Sequence, residues 1–233
     1  MTTLILQSEK PKFLYEEKTV KMIVIKIEAG KKLAKLENTV KRIIDSEIEQ
    51  VENLMRIPVD VDIVVDDDVS RVIPEVGVGG YSASPNLLYI HINPEFKGIA
   101  KTLNTALRST LAHEMHHCVR WHFCGPEKTL LEAVVSEGLA DHFDIEANGG
   151  GPKLWDISIK PSWLSAIKKK IKPELNKREY DSALWFFGAN EKNVPRWAGY
   201  SLGFEVVGEY IRTSGKPAAK LVGENAKKFL RFF

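Results

Sequence analysis

The feature that most restricts the fold of this chain is a pair of histidines four residues apart in a long helical pattern. Residues 113–117 read HEMHH, which fits H-E-x-x-H with His113, Glu114 and His117. Side chains at positions i and i+4 of an α-helix differ in direction by only about 40°, so both imidazoles would point at one spot. Neutral imidazole is a good zinc ligand, and Glu114 is placed to deprotonate a metal-bound water.

The helix that carries this motif is predicted over residues 96–123. A turn signal at residues 93–94 precedes it, and the Gly-Pro pair at 125–126 ends it. On a helical wheel, the apolar positions upstream of the motif lie within about 80° of His113. His116 falls on the opposite face, so we expect it to be solvated and the two motif histidines to face inward.

A second helix, predicted over residues 129–146, supplies a candidate third ligand. Glu137 and Asp141 lie on its apolar stripe. Two carboxylates are costly to bury there unless a cation or a metal-bound imidazole compensates them. A catalytic zinc site needs three protein ligands, and Glu137 is our candidate for the third. Asp141 is placed to accept the other N–H of His113, although an ordinary exposed acid is the alternative.

The rest of the chain indicates an α+β fold. Apolar alternation and β-branched residues predict three strands, at 20–27, 57–65 and 87–93. A long amphipathic helix is predicted from Gly30 to Met55. The triple glycine at 149–151 is the best boundary, and we predict two lobes of one structural unit: an α/β lobe over 1–148 and a helical lobe over 149–233.

Composition excludes several classes of protein. The 233 residues are 44% hydrophobic, with a net charge of +2, which favours neither nucleic acid nor a membrane surface. No apolar run approaches the roughly 18–20 residues that a spanning helix needs, and residues 1–12 lack the pattern of a secretory signal. Cys118 and Cys124 would lie about 9 Å apart on a helix, too far for a disulfide, so we expect a cytoplasmic protein.

The motif residues resemble those of the gluzincins, the zinc peptidase clan typified by thermolysin. The clan's pattern is H-E-x-x-H followed by E-x-x-x-D on the next helix, matched here by HEMHH and by EGLAD at 137–141. More specifically, the chain looks like the YjaZ-like predicted zinc-dependent proteases, a family labelled as a domain of unknown function. The stretches that carry this second resemblance also include 77–94 and 197–207. Ser136 departs from thermolysin, which has Asn before the ligand Glu.

The resemblance implies a zincin-like fold, with a small mixed sheet and the H-E-x-x-H helix in the N-terminal lobe. It also implies an edge strand that holds the substrate backbone, and residues 87–93 are the matching segment. The glycine-rich stretch GVGGY at 77–81 is interpreted as a loop that either approaches the substrate or merely connects strands. The predicted substrate-binding residues are Gly80, Tyr81, Tyr89 and His91.

The resemblance further implies one Zn²⁺ per chain on His113, His117 and Glu137, with water in the fourth position. Glu114 would deprotonate that water, which then attacks a scissile carbonyl. In gluzincins a tyrosine or histidine from the downstream lobe stabilises the oxyanion, and Tyr200 is our candidate. A packed tyrosine is the alternative for this position, and the weaker candidates for the role are Tyr81, His91 and Arg196.

The leading hypothesis is therefore a cytoplasmic zinc metallopeptidase that acts on a peptide or protein, with no nucleic-acid partner and no membrane span. One rival is a non-catalytic zinc protein that binds a peptide or partner. Glu114 speaks against it, because a structural site needs no general base. Another rival is a zinc amide or ester hydrolase that is not a protease, which would use the same metal and base.

Overall fold

The computed structural model describes residues 23–188 and 194–233. A small mixed sheet of four strands is combined with helices, which confirms the predicted α+β class. The strands are β1 (Ile23–Glu28), β2 (Val61–Asp66), β3 (Val78–Ser84) and β4 (Leu87–Ile92). Their order is β1-β2-β4-β3, with β3 antiparallel to β4 and the other pairs parallel.

Seven α-helices are found in the described residues. They are α1 (Lys31–Ala34), α2 (Glu37–Leu54), α3 (Ile99–Cys124), α4 (Leu130–Asn148), α5 (Pro161–Ile171), α6 (Ala198–Ser214) and α7 (Ala218–Leu221). A π-helical turn, Ala183–Phe187, lies between α5 and α6. Both motif helices match their predicted ranges closely, whereas the helix predicted from Gly30 to Met55 is broken after α1. The predicted strand at 57–65 begins later, at Val61.

The edge strands are β1 and β3, and β3 is the one that contacts α3, so the prediction that residues 87–93 form the edge is wrong. In the sheet of the described residues, β4 lies between β2 and β3 and pairs with both. The GVGGY stretch is not a loop, because Val78 to Tyr81 belong to β3. Its glycines hide the strand pattern because they add no side chains to the alternation, and one of them is needed where the strand contacts α3.

The first hydrophobic cluster lies between the sheet and α3. Leu88, Ile90 and Ile92 alternate toward this core, and each is fully buried. Helix α3 contacts β3 and β4, and it also contacts α2 and α4. It is therefore enclosed on several sides, which a single amphipathic stripe does not reveal.

This enclosure corrects the prediction for His116, which is completely buried instead of solvated. Its ring lies 5.4 Å from that of Phe143 on α4, and burial holds its pKa well below the usual value. Arg120, one turn later, is also buried and donates to the carbonyl oxygen of Val222 at 2.8 Å. The wheel assigned this face to solvent because it could not include the elements that cover it.

The second hydrophobic cluster is built on α4 and α6. Helix α4 contributes to both clusters: Phe143 belongs to the first, and Val134 and Leu139 belong to the second. The division into lobes at 149–151 stays a prediction. In the described part of the chain, we find no helix with the length and apolar character that a membrane crossing requires.

Candidate metal centre

Helices α3 and α4 bring three donor atoms together at the centre of a cleft. His113 Nε2 lies 3.0 Å from His117 Nε2 and 3.1 Å from Glu137 Oε2, and the last two atoms are 3.4 Å apart. In a tetrahedral zinc site with bonds of about 2.0–2.1 Å, neighbouring ligand atoms are roughly 3.3 Å apart. The three side chains therefore have the spacing of three ligands of one cation.

The electrostatics of the three groups is that of a cation site. Burial alone would raise the pKa of Glu137, but His117 and His113 hold it well below its usual range. Burial would lower the pKa of His113, yet Asp141 and Glu137 raise it; Glu137 likewise raises that of His117. Positive charge is thus stabilised at this spot. A divalent cation would replace the imidazole protons, so we expect the binding of the cation to depend on pH.

The outer ring nitrogens are held by residues of α4. His113 Nδ1 lies 3.1 Å from Asp141 Oδ1, the contact proposed from the sequence. His117 Nδ1 lies 3.1 Å from Ser136 Oγ. Both contacts leave Nε2 directed at the centre, as metal-binding histidines require. Ser136 was noticed only as a departure from thermolysin, and the structure places it beside the second imidazole.

A further layer behind Asp141 was missed in the sequence. Trp155 Nε1 donates to Asp141 Oδ1 at 3.1 Å. Asp156 is 4% exposed and hydrogen-bonds with Asp141 through its carboxyl group; burial and the charge of Asp141 raise its pKa to about 9. A protonated Asp156 therefore donates to Asp141. Trp155 and Asp156 lie in a connection next to glycines, where no helix or strand periodicity marks a residue as buried. Only their contacts in the tertiary structure identify them.

We expect Asp156→Asn to flatten the pH dependence of stability in the metal-free protein. The folded state keeps the Asp156 proton up to about pH 9, whereas the unfolded chain releases it near 3.8. The folded state therefore binds more protons in this window, and stability falls as pH rises through it. Asparagine donates to Asp141 without titrating. From pH 5 to pH 8, urea unfolding of this variant should therefore show a loss of stability that is smaller than in the wild type by about 4 kcal/mol.

The control for this measurement is Asp45→Asn, at an exposed position of α2. It should reproduce the wild-type difference between the two pH values. Equal differences for Asp156→Asn and the wild type would show that Asp156 is ionised in the fold.

The edge strand β3 lies directly against Glu114. Ser82 Oγ donates to Glu114 Oε2 at 2.8 Å, and the Glu114 side chain is largely buried. A Cβ atom at Gly80 would lie 2.6 Å from both Glu114 Cγ and Thr110 Cγ2. Only glycine permits this approach, which explains why the strand next to the metal helix is rich in glycine.

A cleft of about 760 Å³ surrounds these groups. Tyr200, on α6, lines it, and its ring packs edge-to-face on Phe186 with 5.3 Å between the centroids. Burial, together with the charges of Glu137, Asp141 and Glu114, raises the pKa of the Tyr200 hydroxyl well above its usual value. The hydroxyl is therefore protonated and able to donate at neutral pH.

Two predicted substrate-binding residues do not reach the cleft. Tyr89 and His91 point to the opposite face of the sheet, because Leu88, Ile90 and Ile92 alternate toward the core. His91 is buried, with Nδ1 2.7 Å from Asp66 Oδ1 and its ring stacked on Tyr89. Those two predictions are wrong.

The other two predicted residues, Gly80 and Tyr81, do border the cleft. Gly80 does so on the face that meets α3. Tyr81 pairs with Tyr89 across the strands, so its exposed side chain lies on the outer face of the sheet.

These observations define an α+β protein with a candidate His-His-Glu metal site between two helices and a sheet edge. The chain matches the family model described as "Predicted Zn-dependent protease (DUF2268)" over residues 40–231. It therefore belongs to this family. No solved structure matches it.

One curated relative is the uncharacterized protein YjaZ of Bacillus subtilis (strain 168). The two chains are 31% identical over 133 residues, which are 54% of this chain and 50% of the relative. The match thus spans about half the length of that relative.

Proposed function

We propose that this protein is a zinc-dependent metallopeptidase of gluzincin type, with a zincin-like fold. The observation that carries the proposal is the spacing of three donor atoms, 3.0 to 3.4 Å apart, with a buried glutamate next to them on α3. A structural zinc site closes with four protein ligands, whereas a catalytic one keeps an open position and a nearby base. The donor set and Glu114 support the catalytic kind.

His113, His117 and Glu137 would hold one Zn²⁺ per chain. When bound, the ion supplies a Lewis acid that polarises a carbonyl and lowers the pKa of coordinated water to near 7. Asp141 and Ser136 orient the two imidazoles through Nδ1, so little reorganisation is needed when the ion binds.

Glu114 is the proposed general base and acid. Its carboxylate accepts a proton from the attacking water as the new C–O bond forms, and it returns the proton to the nitrogen as the C–N bond breaks. Ser82 holds the carboxylate by a 2.8 Å hydrogen bond, so its orientation is set by the edge strand.

The edge strand β3 is the proposed partner of the substrate backbone. Its residues Gly79 to Ser82 border the cleft, and in the described sheet it pairs with β4 alone. An extended peptide would add through main-chain hydrogen bonds to the part of its edge beyond Val78, whose carbonyl oxygen already accepts from Ile73 N–H at 3.2 Å. This assigns to β3 the role that the sequence had suggested for residues 87–93.

Tyr200 is the proposed donor to the oxyanion. Of the alternatives, Tyr81 points its side chain to the outer face, and Arg196 Nη1 is bound to Glu75 at 2.9 Å. We expect Tyr200→Phe to lower kcat by about 10²-fold with little change in KM, because the hydroxyl acts only as charge develops. Steady-state kinetics and zinc content measure this, and an unchanged kcat would remove Tyr200 from the mechanism.

Metal removal and restoration tests the function as a whole. Protein purified without added metal should contain one zinc per chain, and its hydrolysis of a peptide library should stop with a chelator and return with Zn²⁺. Tightly bound zinc without hydrolysis of any substrate would favour the non-catalytic rival. Cleavage of simple esters or amides but no peptides would favour the other hydrolase.

Both cysteines are free, Cys118 in the core and Cys124 at the surface, as the sequence predicted. A reducing compartment suits an exposed thiol, so a cytoplasmic location is part of the same proposal.

A further inference from the structure

One end of the cleft is walled by aromatic side chains. Trp121 follows His117 by one turn on α3, and Ala133 precedes Glu137 by one turn on α4. Both line the cleft, as do Tyr180 and Phe186. We call Trp121, Tyr180 and Phe186, with Ala133 beside them, the aromatic end.

The opposite end of the cleft carries polar and charged side chains beside the rings of Trp155 and Trp197. There Ser109, one turn before His113, donates to Asp144 at 2.5 Å. The two arginines that line the cleft belong to this side: Arg196 is bound to Glu75, just before β3, and Arg71 lies in the segment before it.

Glu127 is the cleft-lining carboxylate next to Trp121 at the aromatic end. Its Oε2 accepts a hydrogen bond from Trp121 Nε1 at 2.6 Å. Its other oxygen, Oε1, is buried and has no hydrogen-bond partner among the residues described. Arg120 is turned to the carbonyl oxygens of Val222 and Glu224 and does not line the cleft.

Tyr180 lies among acidic groups at this end of the cleft. Burial, and then the charges of Glu127 and Glu137, raise the pKa of the Tyr180 hydroxyl. A buried carboxylate oxygen without a donor is unfavourable, and a cation brought by a ligand would offset that cost. Aromatic rings on the walls suit the aliphatic stem and the charge of a lysine or arginine side chain.

We propose that the aromatic end is a subsite for a basic side chain of the peptide substrate, whose head group binds Glu127. The inference rests on the proposed peptidase function. Trp121 lies about 6 Å along α3 from His117, and an extended peptide advances about 3.3 Å per residue. The basic residue is therefore within two positions of the scissile bond.

The test uses sets of fluorogenic peptides that differ at one position only, which carries lysine, norleucine or glutamate. Four positions are varied in turn, two on each side of the scissile bond. Wild-type kcat/KM should favour lysine over norleucine at least tenfold at one position. Glu127→Gln should reduce this preference to less than threefold, since its carbonyl still accepts from Trp121 but carries no charge. Glu127→Lys should favour glutamate instead. Glu75→Gln, a matched change at the opposite end, should keep the wild-type preference.

A binding measurement separates the subsite from the peptidase. Affinities of the lysine and norleucine peptides for zinc-loaded Glu114→Gln protein are measured by calorimetry, with and without Glu127→Gln. Cleavage without a basic preference, or a preference that survives Glu127→Gln, overturns the subsite and leaves the peptidase standing. Binding that prefers lysine and depends on Glu127, without any cleavage, upholds the subsite and refutes the peptidase.

Discussion

Replacing Glu114 with Gln should leave one zinc per chain while peptide hydrolysis falls by about 10²–10⁴-fold. The amide has the shape of the carboxylate and can still accept the hydrogen bond from Ser82, which is 2.8 Å long in the wild type. It cannot accept a proton from water, so the loss should appear in kcat while KM changes little. Elemental analysis and steady-state kinetics on the same preparation measure both quantities.

A matched control is Glu49→Gln, at an exposed position of α2 far along the chain from the motif. It should retain wild-type zinc content and turnover. Unchanged turnover in Glu114→Gln would contradict the general-base role, and loss of zinc in that variant would show that Glu114 contributes to binding the ion.

Gly203→Ala should destabilise the protein by about 3 kcal/mol and weaken its metal binding. A Cβ atom at Gly203 would lie 2.2 Å from the carbonyl oxygen of Val134, and one at Gly138 would lie 2.2 Å from that of Gly203. These contacts are with backbone atoms, so α6 would have to move away from α4. Because α4 carries Glu137, the displacement would reach the metal centre. Urea unfolding and zinc titration measure the two effects.

The control is Gly208→Ala on the same helix, where the added atom meets only the His142 side chain, at 3.2 Å. Alanine also has the higher helix propensity, so this variant should be close to wild type in stability. If the two variants had equal stability, the close contact of α4 and α6 would not be a requirement of the fold.

The two candidate histidine donors could be predicted because their arrangement is local. The four-residue step from His113 to His117 sets the relative direction of the imidazoles on any α-helix. Helix ends also follow from short-range signals: α4 begins with a capping box between Thr129 and Glu132 and ends at Gly149. Glu137 was identifiable as a carboxylate on an apolar stripe, which needs a cation near it.

The sheet was harder to predict because strand order depends on pairing between distant segments. Period-two alternation identified β4 as a strand. Its position between β2 and β3, however, leaves no signal in the sequence of β4 itself, because those neighbours come from other parts of the chain. The edge strand has glycine at position 80 because Glu114 lies against it, and that same glycine concealed the strand. The misplacement of Tyr89 and His91 followed from this one error.

By itself, the sequence determined the relative direction of the two imidazoles and which helices carry the candidate donors, because helix geometry depends on neighbours three and four residues apart. The packing of α4 on α3 decided that Glu137 reaches the imidazoles. Only the tertiary structure decided that His116 is buried, that β3 borders the cleft, and that Ser136, Asp156 and Glu127 lie around the site. These contacts join segments whose separation along the chain says nothing about their distance in space, since packing of the sheet and helices sets that distance.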